Sequence, residues 1–171
     1  MKALLVIDML KDFIEKGGAL DCGDESRRII PFVKQKIEAF HRSGNPVIFI
    51  KDSHREDDPE FKMFPRHCVK GTRGAEIIAD LPVAAGDVIV EKTRYSAFYG
   101  TILDQALKDR AVTEAHVVGV CTSICVMDTV GDLRDRDYRV VVYKDGVADF
   151  DPGAHRFSLR RMEMIYGAAV S

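Results

Sequence analysis

The stretch His116–Leu133, HVVGVCTSICVMDTVGDL, changes its period part-way along. Val117, Val118 and Val120 form a short β-branched run, the pattern of a strand buried on both faces of a parallel sheet. From Thr122 onward Ile124, Val126, Met127, Val130 and Leu133 fall at helical spacings, so the chain turns from strand to helix between Gly119 and Ser123. Cys125 then falls in the helix's first turn, where unpaired N–H groups carry partial positive charge and favour a thiolate over a thiol. A buried cysteine also serves as ordinary core packing, so its partners must decide between the two roles.

Working outward, Lys2–Asp8 (KALLVID) reads as a first strand ending in a carboxylate. Ligands collect beyond the carboxyl ends of strands in open α/β sheets, which is where Asp8 would sit, although such an Asp also simply caps or turns a loop. Phe13 follows on an expected loop above the sheet. Beyond the turn-rich GGALDCGDES, Ile30, Val33, Ile37 and Phe40 make one apolar stripe of a helix, with Pro31 tolerable in its first turn. Val47–Ile50 is a second strand and Val88–Val90 a third, ending in Glu91 and Lys92. Ile102, Leu103, Ala106 and Leu107 pattern as a helix. Arg139–Tyr143 is expected as a fifth strand, followed by a turn at KDGVAD. Ala154–Ile165 reads as a last helix with Phe157, Leu159, Met162 and Ile165 apolar, and Ala168–Val170 as a short closing strand. Five or six strands alternating with helices argue for a single-domain, three-layer α/β/α sandwich over residues 1–171 with a mainly parallel, Rossmann-like sheet.

The bulk numbers set bounds. One domain with a sizeable core suits 171 residues. Lys plus Arg is 25 against 27 for Asp plus Glu, so no basic footprint argues for nucleic acid or an anionic membrane. The apolar run Ala3–Ile7 is too short to span a bilayer, and no other segment is long enough. Four cysteines, Cys22, Cys68, Cys121 and Cys125, form no CxxC pair and follow no secretory signal, which points to reduced thiols in a cytoplasm. Neither GxGxxG after the first strand nor GxxxxGK[ST] occurs, so dinucleotide and P-loop chemistry lose their sequence support.

The segment Asp52–Gly74, DSHREDDPEFKMFPRHCVKGTRG, has no helical or strand period and two prolines. Structureless loops of that length in compact domains are usually functional or disordered. Asp52, His54, Glu60 and His67 supply two carboxylates and two imidazoles, a donor set suited to Zn²⁺, Fe²⁺ or Mn²⁺, although acidic loop residues are commonly just solvated. Lys92 at a strand end is by itself compatible with an ordinary snorkelling side chain.

Taken together, three strand ends offer a carboxylate (Asp8), an amine (Lys92) and a thiol (Cys125) to one edge of a sheet. With VIDMLKDF and GGAL, the loop DSH with FPRHCVKGTRGAE, EKTRYSAFYGTILDQAL and GVCTSICVMDT, this set resembles the Asp-Lys-Cys triad of the isochorismatase-like cysteine hydrolases, and more narrowly the nicotinamidases. These pieces span nearly the whole chain in the family's order. The resemblance implies Cys125 as nucleophile, Asp8 as the base that takes its proton and Lys92 as the cation stabilising the pair. It further implies a cis peptide bond at Val120–Cys121, an oxyanion hole from the N–H groups of Cys121 and Cys125, and one divalent metal on Asp52, His54, Glu60 and His67. Family members often form homo-oligomers, which extends to this chain as an expectation.

Three positions depart from the family's pattern. Ser53 stands where an aromatic is often found, Ser123 where an acidic residue is common, and Phe64 where tryptophan is frequent. They bear on ring stacking and substrate preference and leave the triad intact. The implied reaction is hydrolysis of a small-molecule amide, nicotinamide to nicotinate and ammonia through a thioester, with Phe13, Phe64 and Tyr95 as apolar walls for the ring. Two alternatives stand beside it. One is a metal-free member of the family cleaving another amide, ureido or enol-ether substrate. The other is a non-enzymatic thiol switch in which Cys121 and Cys125 form a strained disulfide.

Overall fold

Short apolar runs form the six strands of the computed structural model, which describes residues 1–171: β1 (Lys2–Ile7), β2 (Val47–Asp52), β3 (Val88–Lys92), β4 (Glu114–Val120), β5 (Arg139–Ala148) and β6 (Ala169–Val170). All pair in parallel, in the order β3-β2-β1-β4-β5-β6. Because side chains alternate across a strand, β1 sends Ala3, Leu5 and Ile7 into one core and Leu4 and Val6 into another on the opposite face. The first core is closed by α4 (Leu103–Asp109), α5 (Met127–Asp135) and α6 (Pro152–Met164). The second is closed mainly by α1 (Lys11–Ile14) and α3 (Ile30–Arg42), with α2 (Asp24–Arg28) between them in the chain. The result is the expected three-layer α/β/α arrangement with six strands. No helix is long and apolar enough to cross a membrane.

The order of the strands positions the site. From β1 the chain builds outward through β2 to β3, then returns to lay β4 against the other side of β1. Connections from the two neighbours therefore leave to opposite faces, and a crevice opens at their carboxyl ends, between Asp8 and the turn after β4. The close approach there requires a glycine. Gly119 lies opposite Ile7 in the register with φ +121°, and a Cβ on it would overlap the Ile7 carbonyl oxygen. Asp8 itself turns away from the strand in the left-handed region, with φ +51°.

α3 begins at Ile30 with Pro31 in its first turn and buries Val33, Ile37 and Phe40, as the stripe requires. Four expectations need correction. Phe13 lies on the short helix α1 rather than on a loop. The turn-rich segment before α3 contains α2. β5 does not stop at Tyr143: a register shift opposite Val117 and Gly119 lets Val147 and Ala148 pair with Gly119 and Val120, so KDGVA continues the strand as an irregularity where a reverse turn was expected. Phe157 in α6 and Ile165, one residue past its end, are 61% and 65% exposed, and the buried face of α6 is Ser158 and Met162 with Leu159 packed beside them.

Candidate active site

Three strand ends converge in the crevice. Asp8 follows β1, Lys92 closes β3, and Cys125 follows β4. Lys92 stands opposite Asp52 in the β2–β3 register, and its side chain reaches back toward β1. Its Nζ lies 2.9 Å from Asp8 Oδ2 and 3.4 Å from Cys125 Sγ, and it donates a short hydrogen bond to Asp52 Oδ1. The Lys92–Asp8 contact is an ion pair without a well-directed hydrogen bond at Oδ2, while Oδ1 accepts the Asp52 N–H at 3.0 Å. Asp8 and Lys92 are only 1% and 2% exposed, and Cys125 is buried with them.

Burial sets the charge state of this corner. It pushes the Asp8 carboxyl up to about 6, with the neighbouring Asp52 carboxylate adding to the rise and Lys92 opposing it. A carboxyl so placed exchanges a proton near neutral pH. Burial alone would drive the Lys92 ammonium down, but Asp52 and Asp8 outweigh it and hold its value well above the ordinary lysine range. Cys125 corrects the expectation of a resting thiolate. Its thiol is raised well above the ordinary value by burial, despite Lys92, and by Asp8 and Asp52. Cys125 sits inside a π-helical turn, Thr122–Val126, that precedes α5, and its burial there outweighs what a helix start would contribute toward a thiolate.

That turn is anchored from outside. The Ser123 N–H donates to the buried Asp149 Oδ2 at 2.7 Å, and Thr122 Oγ1 lies 2.9 Å from His155 Nδ1. The peptide bond Val120–Cys121 is cis, as the resemblance implied. Cys121 does not form a disulfide with Cys125; all four cysteines are free, and the sulfur that Cys121 Sγ meets is Cys22 Sγ, 3.2 Å away.

On the far side of Asp52 lies a second cluster. Asp52 Oδ2 is 3.5 Å from His54 Nε2 and 3.9 Å from His67 Nε2, and His67 Nε2 is 4.0 Å from Glu60 Oε1. All four residues are buried. Ligand atoms held about 2.1 Å from one ion in a tetrahedral arrangement stand roughly 3.4 Å apart, so these separations suit a metal. The buried His54 Nε2 has no hydrogen-bond partner, which suits a metal ligand. His67 Nδ1 lies 2.7 Å from the Pro65 carbonyl oxygen, which can only accept, so Nε2 is the bare nitrogen turned to the cluster. Asp52, His54 and His67 therefore fit a divalent metal, with the Glu60 carboxylate beside His67.

Sequence reading missed Asp58 and Arg94. Asp58 is buried, caps the 3₁₀ turn Pro59–Lys62 that carries Glu60, and pairs with both His54 and Arg94. Its carboxyl is held at about 2: burial opposes this, but the Glu60 N–H, His54 and Arg94 together prevail. Nothing in the spacing of DSHREDDPE distinguishes this aspartate from Asp57 beside it, which stays in solvent.

A cavity of about 450 Å³ joins the two clusters, lined by Asp8 and Cys125 on one part and Asp52, Glu60 and His67 on another. Phe13, Phe64 and Tyr95 all line it. Phe13 and Phe64 lie against the His67 ring, with centroids 5.5 and 6.4 Å away. Leu20, Ile124 and Phe150 also line the cavity and had no distinguishing sequence signal.

Comparison with known proteins agrees with this arrangement. The family model described as the isochorismatase domain matches residues 2–171. A nicotinamidase/pyrazinamidase from Bacillus subtilis superposes with a TM-score of 0.95 at 38% identity, covering 99% of this chain and 98% of that one. An N-carbamoylsarcosine amidase from Thermoplasma acidophilum gives 0.91 at 38% identity, covering 99% and 95%. A pyrazinamidase from Pyrococcus horikoshii, solved in complex with zinc, gives 0.92 at 33% identity, covering 99% and 98%. Fold, strand-end residues and these likenesses coincide over the whole chain, which therefore belongs to the isochorismatase family of hydrolases.

Proposed function

We propose that this chain is a cysteine amidohydrolase that converts nicotinamide to nicotinate and ammonia. The observation that carries this reading is the single cavity with Cys125, Asp8 and Lys92 meeting at one part and a metal-fitting cluster at another, bordered by Phe13, Phe64 and Tyr95. A flat ring that bears a carboxamide on one side and a basic nitrogen on the other matches both parts at once. Asp52, His54, Glu60 and His67 would hold a divalent ion, Zn²⁺, Fe²⁺ or Mn²⁺, which when bound supplies a Lewis-acid contact for the ring nitrogen.

The chain's own residues carry the remaining steps. Because the Cys125 thiol rests protonated, its proton passes to Asp8 as the sulfur attacks the carboxamide carbon. Lys92 stays charged between the two and offsets the negative charge that develops on sulfur. The N–H groups of Cys121 and Cys125 receive the carbonyl oxygen as it becomes an oxyanion, a kind of donor worth ~3 kcal/mol in the transition state. Asp8 returns the proton to nitrogen, the C–N bond breaks, and ammonia leaves behind a nicotinoyl thioester on Cys125. Water, deprotonated by Asp8, then attacks the thioester carbon. Nicotinate is released and the thiol restored.

A second reading has its own support, the 38% identity to an amidase acting on N-carbamoylsarcosine. The partnerless His54 Nε2 favours the first, because a metal-free site would leave it unsatisfied. The test is ammonia release from nicotinamide and from N-carbamoylsarcosine, by protein purified without chelator, then stripped, then restored with Zn²⁺ or Mn²⁺. Turnover of nicotinamide that disappears on stripping and returns with the ion supports the first reading. Cleavage of N-carbamoylsarcosine alone, indifferent to metal, overturns it in favour of the second.

A further inference from the structure

Within the metal-bearing loop, two histidines must each present a bare Nε2, and they achieve it by different means. His67 is set by the Pro65 carbonyl oxygen, part of its own backbone two residues away. His54 has no such neighbour. Its Nδ1 meets the side chain of Asp58, Oδ2 at 3.1 Å, in surroundings where His54 is wholly buried. Asp58 is saturated: Oδ1 accepts the Glu60 N–H at 3.0 Å, and Arg94 Nη1 bridges Oδ1 and Oδ2 at 3.1 and 3.2 Å. Asp58 and Asp52 both only accept when ionised, but Asp58 makes the 3.1 Å hydrogen bond to Nδ1 while Asp52 Oδ2 stands 3.5 Å from Nε2 without one, so Nδ1 is the nitrogen placed to carry the proton of a neutral His54 ring and Nε2 keeps its lone pair. With both oxygens engaged, Asp58 itself has no geometry left for coordination, although it lies within ligand reach of His54 and Glu60.

We propose that Asp58 is the positioning residue of the metal site, fixing the tautomer of His54 and the placement of Glu60 through one carboxylate that Arg94 anchors to the segment following Lys92. The inference rests on the metal reading above and adds to it a residue outside the ligand set. One carboxylate thereby orients two ligands from the irregular loop and ties them to the strand end that supplies the triad's cation.

The test substitutes Asp58→Asn. All the groups around Asp58 are donors, and an amide has one oxygen where the carboxylate has two, so the substitution sets an NH₂ group against at least one of them. Calorimetric titration of chelator-stripped protein with Zn²⁺ and with Mn²⁺ is expected to show affinity about 10- to 100-fold weaker than wild type, the loss usual when a partner of a ligating histidine is removed. Thermal unfolding of the metal-free variant serves as the fold control. The spectroscopic readout is the ¹⁵N spectrum of histidine-labelled, metal-free wild type at about pH 9, where neutral rings display their tautomers. His54 is expected as Nδ1–H in wild type and as mixed or Nε2–H in the variant. A wild-type His54 already in the Nε2–H form overturns the proposal even if the variant fails to fold. So does a folded variant with unchanged affinity and an unchanged tautomer. Wild-type protein that binds neither ion removes the metal reading itself, a result distinguishable from both.

Discussion

The two ends of the cavity are built on different principles. Asp8 follows β1 and Lys92 ends β3, each paired to β2 between them, and their meeting is fixed by sheet register. His54, Glu60 and His67 sit on an irregular segment outside the sheet, where only a single bridge to Val69 holds the His54 backbone, and hydrogen bonds of His54 and Glu60 to Asp58, and of His67 to the Pro65 carbonyl, set the side chains. Asp52 belongs to both: its Oδ1 accepts from Lys92 and its Oδ2 faces the imidazoles. A sheet edge tolerates a change of loop, whereas a loop site depends on a few polar contacts. The two ends should therefore respond differently to substitution.

The largest separation is expected in turnover. Cys125→Ala should lower ammonia release by roughly 10³-fold or more while leaving metal affinity and the unfolding midpoint close to wild type, because it removes the proposed nucleophile and little else. Wild-type-like ammonia release would refute the nucleophile assignment. Stripping the ion should act at the other end, lowering nicotinamide turnover by about 10²-fold, with recovery on adding it back. A chelated protein that keeps full activity would break the comparison.

In stability the order reverses toward the sheet edge. Lys92→Met leaves Asp8 and Asp52 facing each other in a buried corner with no countercharge, and should cost about 3–5 kcal/mol in denaturant unfolding. A loss under about 1 kcal/mol would mean the two carboxylates do not depend on that lysine.

A smaller effect comes from His116, far from both ends and packed on Phe40, with its ring nitrogens at Tyr143 and Glu114. Burial holds its value below the ordinary 6.5, although Glu114 opposes the shift. The unfolded chain takes up that proton first as pH falls, so the stability due to a neutral His116 is full above 6.5 and declines on acidification below it. The stability advantage of wild type over His116→Gln should accordingly shrink between about pH 7 and pH 5. An advantage that grows over that range would reverse the sign. The least effect is expected at Phe157→Ser, within about 0.5 kcal/mol of wild type, because that ring faces solvent.

The contrast also explains how much was legible in the sequence. Strands buried on both faces announce themselves as apolar runs, so Ala3–Ile7, Val47–Ile50 and Val117–Val120 were readable, and with them the parallel sheet. Residues at or just beyond the carboxyl ends of such runs inherit that legibility, and Asp8, Lys92 and Cys125 could be located in this way. The proposed loop ligands were readable only as residue types, with the resemblance supplying the set. Asp58 was invisible because a hydrogen-bond hub has no period. β5 was misjudged past Tyr143 because Lys-Asp-Gly carries turn chemistry that the register shift opposite β4 absorbs. The charge state of Cys125 was misjudged because an N-terminal turn favours a thiolate only where burial does not outweigh it, and here burial does. Phe157 and Ile165 misled because apolar type was read as apolar environment, while the helix turns Ser158 and Met162 inward.

The central claim is that the sulfur of Cys125 takes the acyl group from nicotinamide in a corner shared with Asp8 and Lys92. Rapid acid quenching of the metal-loaded protein during turnover, with peptide mass spectrometry of the quenched samples, tests it most directly. A nicotinoyl thioester on the peptide bearing Cys125, absent from those bearing Cys22 and Cys68, is the predicted result. Steady ammonia release with Cys125 unmodified at every quench time, and undiminished in Cys125→Ala, would contradict it.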